Sequence, residues 1–255
     1  MLSALIIAKN EEDEIASAIK SVSFCDEVVV INNNSSDNTA KIARTSGALV
    51  FPDDANSFAT LRNHAENHAQ GDWLLYIDAD EHVSNELKQE ILSAIKSQPE
   101  KRNQFSAYRL KRRDFFWGKE LKYGEIARAR SHGIIRLMKK GSGTWRGTVH
   151  EEFITEKPID CLQSYLDHYP HPTISAFLTE INVYSTLRAQ ELYKAGFKAS
   201  VVDIVIYPFL KFNYTYFLRL GFLDGPAGYV YSFMLSFHSF LVRSKLYMLT
   251  HPSRK

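Results

Sequence analysis

Gly71-Asp72-Trp73-Leu74-Leu75-Tyr76-Ile77-Asp78-Ala79-Asp80-Glu81 is the stretch on which the reading of the chain turns. The run Trp73 to Ile77 reads as a strongly apolar strand, the fourth in an alternation of strands and helices that is the signature of a mostly parallel sheet. The run ends in the carboxylates Asp78, Asp80 and Glu81. In open parallel sheets ligands bind beyond the carboxyl ends of the strands, so these side chains stand where a ligand is expected. Residues two apart on an extended chain project to one side, which would let Asp78 and Asp80 converge.

The sequence before this strand alternates in the same way. Leu2 to Ala8 is an apolar strand, and Ile15, Ala18, Ile19 and Val22 then recur at helical spacing. Glu27 to Ile31 is a β-branched strand followed by the polar loop Asn32 to Asn38, whose side chains suit turns and helix N-caps. A short helix stops at Gly47, Ala48 to Phe51 is a strand, and Ser57 to Gln70 is a helix with Gly71 expected just past its C-cap. Strand and helix in alternation define βαβ units. Downstream, Ser84 can N-cap a helix to about Ser97. After Pro99 the segments Ser106 to Phe116, Gly133 to Lys139 and Trp145 to Ile154 are β-like, so the second half of the core is expected to be mixed or antiparallel. Pro170 and Pro172 break the chain, and Thr173 is placed to N-cap a helix reaching Gly196. The expectation is an α/β protein with a mixed central sheet flanked by helices. Residues 1–170 form its main domain and 171–255 a helical, aromatic-rich appendage.

A length of 255 residues supports one large core plus such an appendage. Apolar residues make up 45% and charged residues 24%, which disfavours disorder and coiled coil. The net charge of +2 does not mark a nucleic-acid binder. Basic residues gather between Lys111 and Arg146, Arg136 among them, where either a phosphate-bearing ligand or plain solvation accounts for them. Cys25 and Cys161 are far apart and fit neither a disulfide framework nor a zinc site, so a reducing compartment is expected. The N-terminus lacks the basic start and cleavage site of a secretory signal. From Val201 to Leu249 the chain is rich in Phe, Tyr, Leu and Val. Its longest nearly uncharged stretch, Tyr229 to Val242, would be a helix about 21 Å long, short of the roughly 30 Å hydrocarbon core. Helices lying in a membrane headgroup region, with Arg219, Arg243 and Lys245 beside aromatic rings, fit this composition. Packing on the core or on a second copy is the alternative.

Two carboxylates at a strand end suit Mg²⁺ or Mn²⁺, which take oxygen donors and leave positions open for diphosphate oxygens. A cation there would stabilise the charge that grows on a departing nucleoside diphosphate. Asp-x-Asp alone is a common turn pattern, and its place after an apolar strand is what gives it weight. His64 and His68 are four apart but lack the zinc-protease pattern and read as a solvated helix face. Gly141 to Gly147 approaches a dinucleotide fingerprint with the wrong last spacing, and there is no Walker A sequence.

Leu5-Ile6-Ile7-Ala8-Lys9-Asn10-Glu11-Glu12, Val28 to Thr39 and Gly71 to Glu81 resemble, in order and spacing, successive blocks of the family 2 glycosyltransferases. Gly147-Thr148-Val149-His150-Glu151 and Arg219-Leu220-Gly221-Phe222-Leu223-Asp224-Gly225 resemble the bacterial subgroup that includes lipopolysaccharide core β-1,4-glucosyltransferases. The resemblance implies a GT-A type nucleotide-diphospho-sugar transferase fold. It also implies metal-dependent, inverting transfer of a hexose, glucose in that subgroup, from a UDP-sugar. The implied acceptor is a lipid-linked saccharide such as the lipopolysaccharide inner core, and the implied location is the inner face of the cytoplasmic membrane. Nucleotide contacts would come from Ala8, Asn10, Glu11, Asn32 and Asp78, and Arg62 could reach the base or diphosphate. Asp80 would be the principal ligand of Mg²⁺ or Mn²⁺, with His150 as a metal or diphosphate contact. Asn32 departs from the family pattern, which has Asp there; its amide oxygen still accepts the uracil N3 proton, without charge. An inverting transfer needs a general base. Glu151 is the first choice and Glu152 the second, with an ordinary surface strand residue as the alternative for each. A polyprenyl-phosphate glycosyltransferase would share the same donor half. A non-catalytic nucleotide-sugar-binding protein is the reading from another class.

Overall fold

The computed structural model describes residues 1–96, 104–147 and 151–251. The chain forms two compact units, Met1–Arg113 with Arg128–His168, and Asp114–Ala127 with Tyr169–Lys255. The stretch 114–127 thus groups with the C-terminal residues, a partition that a single cut near residue 170 does not describe.

The first unit is built on strands β1 (Leu2–Ala8), β2 (Glu27–Asn32), β3 (Leu49–Pro52) and β4 (Trp73–Asp78). They lie in the order β3-β2-β1-β4 and all pair in parallel. The connections are helices α1 (Ile15–Ser21), α2 (Thr39–Thr45) and α3 (Phe58–His68), as expected for parallel neighbours. β5 (Glu81–Val83) and α4 (Asn85–Lys96) follow, with the Ser84 hydroxyl accepting from the Leu87 N–H at 3.2 Å. The sheet continues past β4 with β8 (Ile134–Lys139), β6 (Ala107–Phe116), β11 (Ile159–His168) and β5. β4 with β8, β8 with β6, and β11 with β5 pair antiparallel. Two short strands, β9 (Thr144–Arg146) and β10 (Glu152–Ile154), pair with each other apart from the main sheet.

Alternation along β4 sorts its side chains between two apolar layers. Trp73, Leu75 and Ile77 join one cluster with Ile15, Ile19 and Leu87. Leu74 and Tyr76 join the other with Leu61, Ala65 and Trp145. By the same period Asp78 falls on the Tyr76 side, toward α3.

Gly71 is not the left-handed cap expected of it. Its φ is not positive, and α3 ends at Ala69 in an extended conformation. The glycine is needed for space, because a Cβ there would lie 2.5 Å from the Ser3 hydroxyl and 2.8 Å from the Ser3 backbone nitrogen. Its N–H donates to that hydroxyl at 2.8 Å, which ties the entry of β4 to β1.

In the second unit β7 (Lys119–Leu121) folds back on the end of β6 through Trp117 and Gly118, both with positive φ. This is the backbone that a two-residue hairpin requires. Four segments complete the unit: α6 (Ile174–Lys194), α7 (Val201–Asn213), a π-helical turn (Tyr214–Leu218) and α8 (Gly225–Thr250). The short helix Ala127–His132, which from Arg128 onward belongs to the first unit, is α5. Thr173 caps α6 by accepting from the Ala176 N–H, as its position predicts, and Ser200 and Asp203 form a reciprocal capping box on α7. Phe116, Leu121, Ile126, Phe177, Ile181 and Met234 share one core. Among the described residues no helix is long and apolar enough to cross a membrane.

The Arg219 to Gly225 motif is an architectural joint. The Asp224 carboxylate accepts from the backbone N–H groups of Lys122 and Tyr123 at 3.0 and 2.9 Å. A Cβ on Gly228 would sit 2.0 Å from the Gly221 carbonyl oxygen, so only glycine lets α8 pass this turn.

Candidate active site

The loops after β1 and β2 are stitched together by their own polar side chains. Asn10, at φ 59°, accepts from the Ser36 N–H at 2.8 Å and donates its own N–H to the Ser35 hydroxyl at 3.0 Å. The Glu12 carboxylate accepts from the Asn38 N–H and amide at 3.0 and 2.9 Å. The Glu11 N–H donates to the Thr39 hydroxyl at 2.7 Å. Ala8 is buried at the end of β1 opposite Asn32, and its carbonyl accepts from the Asn33 N–H at 2.9 Å. Of the predicted nucleotide contacts, Ala8, Asn10, Glu11 and Asn32 therefore occupy one edge of the sheet. The Asn32 side-chain oxygen is buried and has no hydrogen-bond partner among the described residues. A buried acceptor left in this state is costly and is open to a donor from a ligand.

Arg62 is the centre of the charged cluster. Its side chain is 1% exposed, and its guanidinium lies 5.0 Å from the Trp145 ring centroid and 5.8 Å from that of Tyr76. Asn63 holds this arrangement, exchanging hydrogen bonds with the Trp145 backbone at 2.9 and 3.0 Å. Arg62 donates to Asp78 at 2.7 Å and to Glu151 at 3.2 Å, joining the end of β4 to the residue just before β10. Its remaining terminal nitrogen is buried without a partner among the described residues.

Asp78 is gripped from a second side by Arg136 on β8, which also donates to Glu81 at 2.8 Å. Glu81 is fully buried and accepts from the Asp78 N–H at 3.0 Å, so it braces the turn from inside. Burial by itself would raise the Asp78 pKa, but the charges of Arg136 and Arg62 outweigh it and hold the carboxyl well below the usual range. Burial likewise opposes the charge on Arg136, and Asp78 and Glu81 reverse that effect.

Asp80 does not share these partners. β4 ends at Asp78, so Asp80 lies in the turn before β5 and the period of two no longer applies. Its carboxylate meets His168 Nε2 at 3.2 Å, at the end of β11. Burial would raise its pKa, but the charge and hydrogen bond of His168, with the charge of Arg112, together hold it below the usual carboxylate value. Glu151 is half-buried on Arg62, whereas Glu152 is exposed in β10. His150 lies outside the described residues.

Among the described residues no group of three or more His, Cys, Asp or Glu is placed to hold a metal. Both Asp78 oxygens are engaged by guanidinium groups. Asp80, 29% exposed, has one oxygen on His168 and no second partner among the described residues, and one protein carboxylate with diphosphate and water is a usual Mg²⁺ environment. The donor set fits a metal shared with a ligand better than one caged by the protein.

His64 and His68 are both exposed on α3, as a solvated face requires. His64 pairs with Asp53 at 2.7 Å, and His68 stacks on Phe51 with ring centroids 3.9 Å apart. From sequence, His168 is not singled out, Glu81 is only one of the carboxylates at the strand end and Arg136 only one of a run of basic residues, neither with a role. For Arg136 the signal was present, since a lone charge inside Ile134-Ile135-Arg136-Leu137-Met138 must find a buried partner.

Parallel strands whose carboxyl ends carry a buried polar acceptor and an acidic turn braced by arginines define a GT-A-like nucleotide-sugar transferase fold. The profile of glycosyl transferase family 2 matches residues 3–182, and the chain belongs to that family. It is 34% identical over 269 residues to an uncharacterized glycosyltransferase of Rickettsia typhi, covering 99% of this chain and 89% of that protein. It is 25% identical to the lipopolysaccharide core biosynthesis glycosyltransferase LpsC of Rhizobium meliloti, covering 96% and 92%. The solved structure of S. aureus TarS 1–349 in complex with UDP-GlcNAc shares the fold. Its TM-score is 0.50 at 13% identity, covering 98% of this chain and 91% of that one.

Proposed function

We propose that the chain transfers a hexose, glucose by subgroup resemblance, from a UDP-sugar to a lipid-linked saccharide of the lipopolysaccharide inner core type, with inversion at the anomeric carbon. The observation that carries this reading is Arg62, which links Asp78 to Glu151 with one nitrogen unpartnered among the described residues. The first unit does the chemistry, and the enzyme works as a peripheral protein on the inner face of the cytoplasmic membrane. The relative named for lipopolysaccharide core biosynthesis supports the acceptor class, and the likeness to a UDP-GlcNAc complex supports the donor class.

In this mechanism the loops after β1 and β2 bind the nucleoside, with the Asn32 oxygen accepting from the base. Arg62 turns its free nitrogen to the diphosphate. Asp80, with His150, would hold Mg²⁺ or Mn²⁺, which when bound supplies positive charge against the leaving diphosphate. Glu151 takes the proton of the acceptor hydroxyl as its oxygen bonds to the anomeric carbon; the bond from that carbon to the diphosphate breaks, and its electron pair leaves with UDP. Arg62 orients the Glu151 carboxylate for this task.

Donor turnover by purified protein with UDP-sugars, with and without Mn²⁺, tests the proposal. Glu151→Gln is expected to lower kcat by about 10²- to 10⁴-fold with KM for donor little changed, and Asp80→Ala to remove the metal dependence. A comparable loss in Glu152→Gln with Glu151→Gln active moves the base by one residue. Absence of turnover with UDP still bound reduces the chain to a binding protein.

A further inference from the structure

α7 carries an inverted pattern. It packs on α8, yet none of its own residues is buried. Its outward positions are Val201, Val202, Val205, Ile206, Phe209 and Leu210, all more than two-fifths exposed, with Val202 at 66% and Phe209 at 63%. They recur as adjacent pairs four apart, which is one continuous stripe on a helix. The stripe runs on into the π-helical turn at Phe217 and Leu218, the latter 75% exposed. An exposed apolar surface of this extent marks a contact site.

We infer that this stripe docks in the plane of an anionic bilayer leaflet. The inference rests on the membrane reading above and assigns it to one helix face. Three features select lipid over a protein partner. Apart from Asn213 and Tyr214, the pair that joins α7 to the π-helical turn, no residue of the stripe has a polar side chain, whereas a protein interface carries about ten direct hydrogen bonds. α7 has 13 residues, about 20 Å at 1.5 Å per residue, too short to cross the roughly 30 Å hydrocarbon core, so it lies flat. The margin is aromatic and basic: Arg243 stacks 3.9 Å over Tyr207, Arg219 sits 5.7 Å from the Tyr214 ring, and Lys194 and Lys198 are exposed just before the helix. Rings with snorkelling cations are what a headgroup layer of negative charge accommodates.

The test is sedimentation of the full chain with phosphatidylglycerol–phosphatidylethanolamine vesicles, comparing wild type with Phe209→Glu/Leu210→Glu. Both side chains are exposed, so the helix tolerates the change, and circular dichroism checks it. The expected result is at least about tenfold weaker partitioning for the double variant, with hydrolysis of UDP-sugar unchanged. A second measurement uses Phe209→Trp, whose fluorescence is expected to be quenched by bromine-labelled acyl chains. Equal sedimentation of wild type and double variant, or no quenching, overturns the proposal. So does a wild-type dimer in light scattering that the double variant dissolves while neither protein binds vesicles, which gives the stripe to a second copy. Failure of UDP-sugar turnover in every preparation counts against the transferase reading alone and leaves the vesicle result standing.

Discussion

A guanidinium inside a β-strand has to be held by something, and Arg136 shows by what. Its partners are Asp78, which faces the site, and Glu81, which water does not reach. Removing one member of a buried ionic group strands the others, so Arg136→Met should cost about 3–5 kcal/mol in urea unfolding. A cost below about 1 kcal/mol would mean that Arg112, 3.6 Å from Glu81, suffices by itself. Asp78 adds an acid-sensitive part to stability. Its folded pKa is depressed, so its contribution is complete above the unfolded value of about 3.9 and is lost as pH falls below that toward the folded value. Asp78→Asn should flatten the pH dependence of stability below about pH 4, and an unchanged slope in acid denaturation would refute this. At this scale the sequence showed which residues carry charge near the strand end, Asp78, Asp80, Glu151 and Arg62 among them. It could not show the pairing, because Arg62 and Glu151 are 89 residues apart.

Elements were more legible than their partners. The four parallel strands and their helices follow from apolar runs punctuated by capping residues, and they stand within a few residues of where periodicity puts them. β11 was not foreseen because its fully buried residues, Leu162 and Leu166, are four apart, a spacing that strand and helix share. Glycines were legible as punctuation and misread in function. Gly71 was assigned a cap and instead clears room for Ser3, which only tertiary contact reveals. Gly228 is the sharper case. Gly228→Ala should destabilise the protein by about 1–3 kcal/mol through overpacking against the Gly221 carbonyl, measured as a fall in the urea midpoint at unchanged slope. A neutral effect would show that α8 can shift at this point.

For the molecule as a whole, the clearest expectation is linkage to the donor. A ligand that binds only the native state stabilises it, by about 2.7 kcal/mol at a hundred times its dissociation constant. UDP should therefore raise the melting temperature, and Asn32→Ala should diminish the rise. If ATP and UDP shift it equally, the Asn32 acceptor does not read the base. Composition foresaw an appendage rich in aromatic residues. It could not foresee that the appendage claims 114–127, since Phe116, Leu121 and Ile126 look like ordinary core residues until Phe177 and Met234 lie against them.

That shared ownership bears on how the chain is made. A ribosome emits about 5–20 residues per second, so the hairpin around Trp117 is polymerised roughly 6–23 s before Met234. Through that interval its greasy side chains have no native shelter. Nascent molecules of this protein should lean on holding chaperones until the final helix arrives, however readily the parallel strands have already closed.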